Sequence, residues 1–535
     1  MKPLTTEQQH WVEQTLDSLS AEERIAQLLI QRVDPGSNID DLIAVLKKIP
    51  CGGLFVWGNT AEEHRSRLAR LQAASRVPIV VSADLENGAG HAVLGMTAFP
   101  DNLAVAANDS EELAYTMGKA AAVEGRSVGI HWTFAPVVDV NVNPDNPIAN
   151  TRSLHDDVER ISRLARAIIR GLQENGVAAC AKHFPGDGID DFDQHAVTSV
   201  NSLSLEKWKA ISGRTFNAAF DGEVWSTMIG HIALPAWDPE LIDARKTLRP
   251  ATVSKPIVTD LLRKQMGFQG LVVTDDMNMG GVSGYMNRKD RVVGCINAGC
   301  DMLLFPELPR DYKTLVDAYH DGSLSKERID EAVRRVLEFK ARLNLHQGEA
   351  AGKKATSEET KQFQAASKKV AEGAVCCIRD VNKLLPLKKL HDGARVMTIT
   401  LTNDFDLKEI DLALKARGCK VEHLCNPDDC NLSGRWQKMD AVFVNFSFRA
   451  NWAVSSVRSV GPFNRIFMGG FYMEHPCVVF TSFGSPYHLR QFSALPNYIN
   501  VHSATPESQR AAVAAWFGEI PMIGKSPVQN LVRTF

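Results

Sequence analysis

The sequence predicts an α/β fold, a (β/α)8 TIM-type barrel followed by a smaller α/β layered C-terminal domain. Three observations lead to this prediction. Short apolar runs alternate with helix-length segments through residues 1–345, residues 346–361 contain no large apolar side chain, and the strand–helix alternation restarts in residues 362–535. We therefore expect a barrel domain over 1–345, a linker over 346–361 and a second domain over 362–535.

Eight apolar runs support the barrel prediction. They are nearly continuous in hydrophobicity, as expected of parallel strands that are covered on both faces. Helical segments such as Glu111–Val128 and Asp157–Asn175 separate them, and a closing helix over Ser325–Leu345 places its apolar residues on one face. The predicted strands are Leu28–Val33, Gly53–Trp57, Ile79–Leu85, Ile130–Val140, Val177–Phe184, Val224–Ile232, Leu271–Met277 and Asp301–Phe305.

The second domain shows the same alternation over a shorter length. Helices are expected over Lys361–Ala374 and Lys408–Arg417. Apolar strand-like runs occupy Val396–Leu401, Ala441–Phe446 and Cys477–Ser482. Alternation of this kind is typical of an α/β layered domain.

Composition and charge exclude several classes of partner. The 535 residues contain 60 Lys+Arg and 63 Asp+Glu, a formal net charge of −3, whereas nucleic acid and anionic membranes favour a strong basic excess. No apolar stretch approaches the roughly 20 residues of a membrane span. The ten cysteines lack zinc-ligand spacing, so we expect reduced thiols, no metal and no cofactor. Met1–Gln31 shows no signal peptide, which favours the cytoplasm unless a leader precedes this sequence.

The carboxyl ends of five predicted strands are unusually polar. In such a barrel these ends meet at one mouth, where the chemistry takes place. They offer carboxylates and histidines, without a phosphate-binding glycine loop or a serine-elbow motif, and this set suits glycoside hydrolysis. Side chains alternate along a strand, so Asp275 and Asp276 cannot both face the mouth. The polar ends are Ser82–Glu86, Val138–Asn141, Lys182–His183, Gly230–His231 and Thr274–Asp276.

Two short segments carry a resemblance to a known family. Lys182–Gly188 reads K-H-F-P-G-D-G, and Asp193–His195 reads D-Q-H. This spaced pattern resembles the signature of bacterial β-N-acetylglucosaminidases of glycoside hydrolase family 3, K-H-F-P-G-H-G followed at the same spacing by D-S-H. Further segments similar to that family are Phe134–Asn141, Asn150–Ser153, Gly267–Met277, Leu384–Leu387 and Gly524–Val528.

The resemblance implies roles for individual residues. Asp275 corresponds to the nucleophile that forms a covalent glycosyl intermediate, His195 to the general acid/base and Asp193 to its partner. An imidazole titrates near neutral pH, and a neighbouring carboxylate can orient it and favour its protonated form. The family's sugar-binding positions correspond to Asp84, Arg152, Lys182 and His183.

The resemblance does not fix which sugar the site binds, because the chain departs from the family pattern. Asp187 replaces the motif's second histidine, and Gln194 replaces the serine of D-S-H. Ala89 and Ala92 stand where the family has arginines, one of which helps to hold the sugar, and His91 could take over that contact. Three tryptophans could stack on a sugar, but we expect core packing for each of them: Trp57, Trp132 and Trp225.

The leading hypothesis is a retaining exo-β-N-acetylglucosaminidase that acts on small saccharides derived from chitin or peptidoglycan. A phosphorylase on the same fold is an alternative, with inorganic phosphate as a second partner, because a histidine acid/base does not repel an incoming anion as a carboxylate would. A β-glucosidase is a third reading. A non-catalytic sugar-binding protein is the least favoured, since Asp275, Asp193 and His195 are all present.

Overall fold

Two separate sheets organise the chain, as the sequence predicts. The computed structural model describes residues 3–240, 247–348, 351–404, 406–427, 434–452 and 455–532. Within these residues an eight-stranded sheet precedes a six-stranded one, so an α/β barrel is followed by a smaller α/β domain.

The barrel strands lie in the eight predicted places. They are β1 (Leu29–Val33), β2 (Gly53–Val56), β3 (Val80–Ala83), β4 (Trp132–Thr133), β5 (Cys180–Phe184), β6 (Ser226–Ile229), β7 (Leu271–Asp276) and β8 (Met302–Leu304). Around the sheet the order is β4-β3-β2-β1-β8-β7-β6-β5, with every neighbouring pair parallel. Single parallel bridges, Trp132 with Ala178 and Val137 with Lys182, link the two ends of this order.

Helices cover the outside of the barrel. Side chains cap many of them. Thr60 and Glu63 form a capping box at the helix over Ala61–Ala73, and the Asp157 carboxylate accepts a hydrogen bond from the Arg160 amide at the helix over Val158–Gln173. The helices of this domain are α1 (Thr6–Ser18), α2 (Ala21–Ala26), α3 (Ile39–Lys48), α4 (Ala61–Ala73), α5 (Asn102–Ala107), α6 (Glu111–Arg126), α7 (Val158–Gln173), α8 (Leu205–Ala210), α9 (Ser212–Asp221), a π-helix (Pro256–Gln265), α10 (Gly280–Ser283), α11 (Arg288–Ala298), α12 (Arg310–His320) and α13 (Lys326–Arg342).

The fourth predicted strand, Ile130–Val140, is wrong in length. Only Trp132–Thr133 forms a strand, because Pro136 has no N–H to donate to a continuous ladder. The chain beyond still runs beside β5, where the Cys180 amide donates to the Ala135 carbonyl at 2.7 Å. Asp139 therefore lies on a loop at the mouth rather than at a strand end.

The second domain contains three strands that the sequence does not predict. Its strands are β9 (Cys376–Asp380), β10 (Arg395–Thr402), β11 (Lys420–Cys425), β12 (Ala441–Ser447), β13 (Val478–Ser482) and β14 (Asn497–Asn500), and its helices are α14 (Ser357–Gly373), α15 (Lys408–Lys415), α16 (Phe471–Glu474), α17 (His488–Gln491) and α18 (Pro506–Trp516). The sheet order is β9-β14-β13-β12-β10-β11, with β9 antiparallel to β14. Both edge strands, β9 and β11, were missed because they are half-exposed and mix polar with apolar residues.

Helix α14 joins the two sheets. It begins at Ser357, inside the predicted linker, because Thr356 and Glu359 form a capping box there. Phe363 packs with the barrel core, whereas Ala371 packs with the core of the second sheet. The division into 1–345, 346–361 and 362–535 remains a prediction. Helix α14 contacts both the barrel and the second domain.

The second domain also reaches the rim of the barrel mouth. Asn150 Nδ2 donates to Ser485 Oγ at 3.3 Å, and Arg458 Nε donates to Asp145 Oδ1 at 2.6 Å. Loops of the barrel mouth therefore rest on residues of the second domain. No helix among the described residues has the length and apolar character needed to cross a membrane.

Candidate active site

Three of the predicted sugar-binding residues form one ion-pair network. Lys182, near the end of β5, has a side chain that is 4% exposed and lies between two carboxylates, 3.2 Å from Asp84 Oδ1 and 2.6 Å from Glu86 Oε1. Arg152 binds the same Glu86 through two bonds, Nε to Oε2 at 3.1 Å and Nη2 to Oε1 at 2.8 Å. The structure thus brings Asp84, Lys182 and Arg152 together around a glutamate to which the sequence had assigned no role.

Opposite charges keep the buried side chains of Glu86 and Lys182 ionised. Burial alone would raise the pKa of Glu86, but Arg152 and Lys182 hold that pKa well below its ordinary value. Burial likewise lowers the pKa of Lys182, and the carboxylates of Asp84 and Glu86 more than offset it, so the net pKa is raised. The Asp84 side chain stays 39% exposed, which leaves it able to accept hydrogen bonds from a ligand's hydroxyl groups.

His183 is held by an aspartate from the loop after β4. Its Nδ1 lies 2.7 Å from Asp139 Oδ2, and its backbone N–H also donates to that carboxylate at 3.2 Å. The Asp187 amide donates to Asp139 Oδ1 at 2.7 Å. With Nδ1 engaged, His183 can present only Nε2 to a ligand. Asp139 was visible as a polar residue near a strand end, but its pairing with His183 was not predicted.

The acid/base candidates form a hydrogen-bonded pair. His195 Nδ1 lies 2.7 Å from Asp193 Oδ1, and the His195 amide donates to the same oxygen at 2.8 Å. Asp193 is almost fully buried, whereas the His195 side chain is 24% exposed. The carboxylate therefore orients the imidazole, and Nε2 is the nitrogen left for a ligand.

The loop that carries Asp193 and His195 is attached to the segment after β7 by the backbone amides of two glycines. Gly280 donates its amide to the His195 carbonyl at 2.7 Å, and Gly281 donates to the Gln194 carbonyl at 3.0 Å. A Cβ atom at Gly280 would lie 2.1 Å from the Ala196 carbonyl oxygen, so only glycine permits this approach. The acid/base loop is thus positioned by the segment that begins just after Asp275.

The two departures from the family motif contact each other. Gln194 Nε2 donates to Asp187 Oδ2 at 3.1 Å, and Gln194 Oε1 accepts from the His231 amide at 2.9 Å. Burial, and next the charge of Asp139, raise the pKa of Asp187 to about 6. An Asp–Gln pair therefore occupies the interior of this loop, where the family pattern has histidine and serine.

Asp275 lies at the end of β7 beside three imidazoles. Burial would raise its pKa, but the charges of His183, His231 and His195 lower it below the ordinary value, so the carboxylate is ionised near neutral pH. Its Oδ1 accepts a hydrogen bond from the Asp276 amide at 2.8 Å. The Asp276 carboxylate accepts instead from Asn278 at 2.8 Å, which agrees with the alternation predicted for the two carboxylates.

His231 was predicted only as a polar strand end. It is buried, with Nδ1 2.7 Å from Thr252 Oγ1 and Nε2 2.9 Å from the Asp276 carbonyl. Since both ring nitrogens are engaged, His231 supports the chain around Asp275 and offers no free nitrogen to a ligand. In the sequence, only its position at the end of a predicted strand pointed to a place at the barrel mouth.

The sequence expectation for the tryptophans holds at two positions and fails at the third. Trp132 is fully buried and donates to Ser226 Oγ at 2.7 Å, and Trp225 is half-buried. Trp57 is 43% exposed, because it follows the last residue of β2 and so lies at the mouth.

The two positions where the family has arginines are buried: Ala89 and Ala92. His91 is exposed and contributes to the lowered pKa of Glu86. No cluster of three or more metal-ligating side chains occurs among the described residues.

Comparison with known proteins identifies the family. Residues 20–339 match the glycosyl hydrolase family 3 N terminal domain. The chain is 32% identical to a beta-N-acetylglucosaminidase/beta-glucosidase of Cellulomonas fimi, over 97% of this chain and 95% of that protein. It is 31% identical to a beta-hexosaminidase of Pseudomonas aeruginosa, over 48% of this chain and 76% of that protein.

Solved structures show the same architecture along the whole chain. A beta-glucoside phosphorylase, BglX, bound to 2FGlc superposes with a TM-score of 0.90 at 30% identity, covering 99% of this chain and 98% of that one. A family 3 beta-N-acetylglucosaminidase from Paenibacillus sp. str. FPU-7 gives a TM-score of 0.83 at 24% identity, covering 97% and 100%, and this likeness concerns the fold.

Proposed function

The chain belongs to glycoside hydrolase family 3, and we propose that it is a retaining exo-β-N-acetylglucosaminidase acting on chitin- or peptidoglycan-derived saccharides. The observation that carries this proposal is the Asp193–His195 pair, held by backbone bonds to the segment that follows Asp275. A proton donor and an ionised carboxylate on one mouth are the two groups that a retaining glycosidase needs.

In the first step, the Asp275 carboxylate attacks the anomeric carbon while the bond to the leaving oxygen breaks. His195, protonated on Nε2, gives its proton to that oxygen, so the leaving group departs as a neutral alcohol. Asp193 stabilises the imidazolium because it accepts from Nδ1 at 2.7 Å. The product of this step is a glycosyl ester on Asp275.

In the second step, His195 is neutral and takes a proton from water as the water oxygen attacks the anomeric carbon. The ester bond breaks, and its electrons return to the Asp275 carboxylate. Two inversions at the same carbon give net retention. The sugar is held through the network of Asp84, Lys182 and Arg152, whose charges, together with that of Glu86, are balanced before a ligand arrives.

Phosphorolysis is the second candidate, and a specific observation favours it. The proton shuttle is an imidazole, so an anionic acceptor meets no additional carboxylate there. The likeness to a beta-glucoside phosphorylase over 99% of the chain supports the same reading. In this version phosphate replaces water in the second step, and the product is a sugar phosphate. The dual name of the Cellulomonas fimi relative also keeps glucose among the candidate sugars.

Aryl-glycoside turnover tests these alternatives directly. Release from the N-acetylglucosamine substrate alone, with no response to phosphate, is the result that we expect. Strong stimulation by phosphate, with a sugar phosphate as product, would replace hydrolysis by phosphorolysis. Release from the glucoside alone would overturn the proposed sugar.

We further propose a cytoplasmic role in cell-wall recycling or chitin degradation. The nine described cysteines are all unpaired, which agrees with a reducing compartment.

A further inference from the structure

We propose that Trp57, Arg32 and Phe305 form an aglycone platform, a binding surface for the sugar ring on the leaving-group side of the scissile bond. This inference rests on the proposed glycosidase function. The proposed reacting residues and the sugar network follow β3, β4, β5 and β7. The platform residues lie at the ends of β1, β2 and β8, the part of the mouth that the mechanism leaves unused.

The platform is built around one guanidinium group. The Arg32 guanidinium carbon lies 5.8 Å from the centre of the Trp57 ring and 5.7 Å from that of Phe305. Asp34 Oδ1 accepts from Arg32 Nε at 2.6 Å and from Trp57 Nε1 at 3.1 Å. A single carboxylate therefore holds both the cation and the indole in place.

Packing beneath the platform makes it rigid. The Phe305 ring meets the edge of Phe55 with centroids 5.0 Å apart, and Phe55 stacks on Phe134 at 5.9 Å. Phe55 and Phe134 belong to the barrel core. The rings are thus positioned before any ligand arrives, which reduces the conformational entropy lost on binding.

Hydrogen bonds connect the platform to both halves of the proposed active site. The Phe305 carbonyl accepts from Asn278 Nδ2 at 3.2 Å, and the same amide group donates to Asp276, the neighbour of the nucleophile candidate. On the other side, the Gly58 amide, next to Trp57, donates to the Ala92 carbonyl at 2.7 Å. Ala92 belongs to the loop that carries Asp84 and Glu86. The platform therefore lies between the sugar network and the attacking carboxylate.

The chemistry of the platform fits a neutral sugar ring. An exposed indole face offers apolar contact to the C–H groups of a pyranose. The Arg32 charge is balanced by Asp34, while its Nη1 and Nη2 have no hydrogen-bond acceptor among the described residues and can donate to a hydroxyl or an acetamide oxygen. A ring with oxygen substituents satisfies both elements, whereas inorganic phosphate would use only the cation.

Substitution of Trp57 tests the platform by comparing two leaving groups. The substrates are the β-1,4-linked disaccharide of the sugar that the wild-type enzyme accepts, and the β-fluoride of that sugar, which has no ring on the leaving side. We expect Trp57→Ala to lower kcat/KM for the disaccharide about tenfold and to change it less than twofold for the fluoride. Trp57→Phe should recover most of the loss, because it restores an aromatic face. Equal losses on both substrates, or no loss on either, would overturn the platform.

A matched pair of arginine variants separates recognition from surface charge. Arg32 and Asp34 are 46% and 49% exposed, and the pair of Arg70 with Asp40 on the outer helices is similarly open at 50% and 75%. Arg32→Ala should lower kcat/KM for the disaccharide three- to tenfold, and Arg70→Ala should leave it unchanged. A loss for Arg32→Ala that is restored by added phosphate would assign the cation to an anionic acceptor instead and contradict the proposal.

Binding measured without turnover keeps the platform testable if the proposed function fails. In the Asp275→Ala background, calorimetric titration with the β-1,4-linked disaccharide of N-acetylglucosamine should give a Kd about tenfold weaker when Trp57→Ala is added. An unchanged Kd would overturn the platform. Absence of turnover by the wild-type enzyme, together with this weakened binding, would contradict the proposed function alone.

Discussion

The mouth and the floor of the barrel both bury charged clusters, yet they differ in what they leave available. At the floor, Asp301 precedes β8 and is fully buried. It accepts from Arg263 Nη2 at 2.5 Å, Arg328 Nη2 at 2.9 Å and Arg335 Nη1 at 3.2 Å, and from the Val272 amide at 3.0 Å. Each Asp301 oxygen is thereby satisfied by protein groups.

The mouth cluster is less complete. The side chains of Asp84 and His195 are 39% and 24% exposed, whereas Asp301 is fully buried. Buried ion pairs alone therefore do not distinguish a site from a structural cluster. A site is distinguished by polar side chains that stay open to a ligand beside such a network. Their position at the carboxyl ends of the strands agrees with the usual location of barrel active sites.

Removal of the Asp275 carboxylate should give the largest effect on the mouth side of this comparison. We expect Asp275→Ala to lower kcat by about 10⁴-fold or more, because this carboxylate is the proposed nucleophile that forms the glycosyl ester. The urea midpoint should stay near that of the wild type, since Asp275 takes part in no ion pair within the part of the chain that the structure describes. An unaffected rate would remove Asp275 from the mechanism.

Removal of the Asp301 charge should break the floor instead. Asp301→Asn leaves three arginines around a neutral amide, so we expect the free energy of unfolding to fall by about 3–5 kcal/mol, with kcat of the folded enzyme unchanged. Urea denaturation and kinetics on the same samples measure the two quantities. Asp317→Asn is the control, because its pair with Lys313 is exposed and worth at most about 1 kcal/mol. A selective loss of kcat in Asp301→Asn would show that the two regions are not separate.

Loss of the imidazole should affect substrates unequally. We expect His195→Ala to slow cleavage of glycosides with poor leaving groups by roughly 10²-fold, and to have little effect on departure of an activated phenol, which needs no proton. A series of aryl glycosides of differing leaving-group pKa measures this slope. Equal loss across the series would contradict the acid role.

Asp187 should give the smallest effect, and one that depends on pH. Its folded pKa is raised to about 6 from 3.8, so the folded protein binds this proton more tightly than the unfolded chain. The stabilisation is therefore fully present below about pH 4 and lost as pH rises through 6, a change of about 2–3 kcal/mol. Asp187→Asn should flatten the dependence of unfolding free energy on pH in this range, with Asp191→Asn as the control on the same loop. An unaltered slope would contradict the raised pKa.

The barrel was predictable from local sequence, whereas the partners within the site were not. Eight apolar runs mark the strands because parallel strands are covered on both faces, and this pattern needs no knowledge of tertiary contacts. The pairings of Glu86 with Arg152 and of Asp139 with His183 join residues 66 and 44 positions apart. Only the closed barrel brings them together. Trp57 was misassigned because an aromatic residue after a strand looks the same whether it faces the core or the mouth.

The Asp187–Gln194 contact shows what a motif comparison cannot supply. Taken singly, each residue is a departure from the family pattern, and each weakens the resemblance. Together they form one hydrogen bond in a buried space, so the two changes are coupled through the structure rather than independent losses. Sequence spacing alone does not reveal this coupling.

The contacts between the mouth loops and the second domain set an order for assembly of the enzyme. Asn150 rests on Ser485, 335 residues later, and the Asp101 amide donates to Ser503 Oγ, 402 residues later. On a ribosome the barrel strands are all translated by Leu304, well before these supports exist. All barrel strands are thus available for pairing first, whereas these mouth loops gain their supports only when the last part of the chain docks. A chain that ended before Ser485 would lose both contacts, so its mouth loops would be held by barrel residues alone.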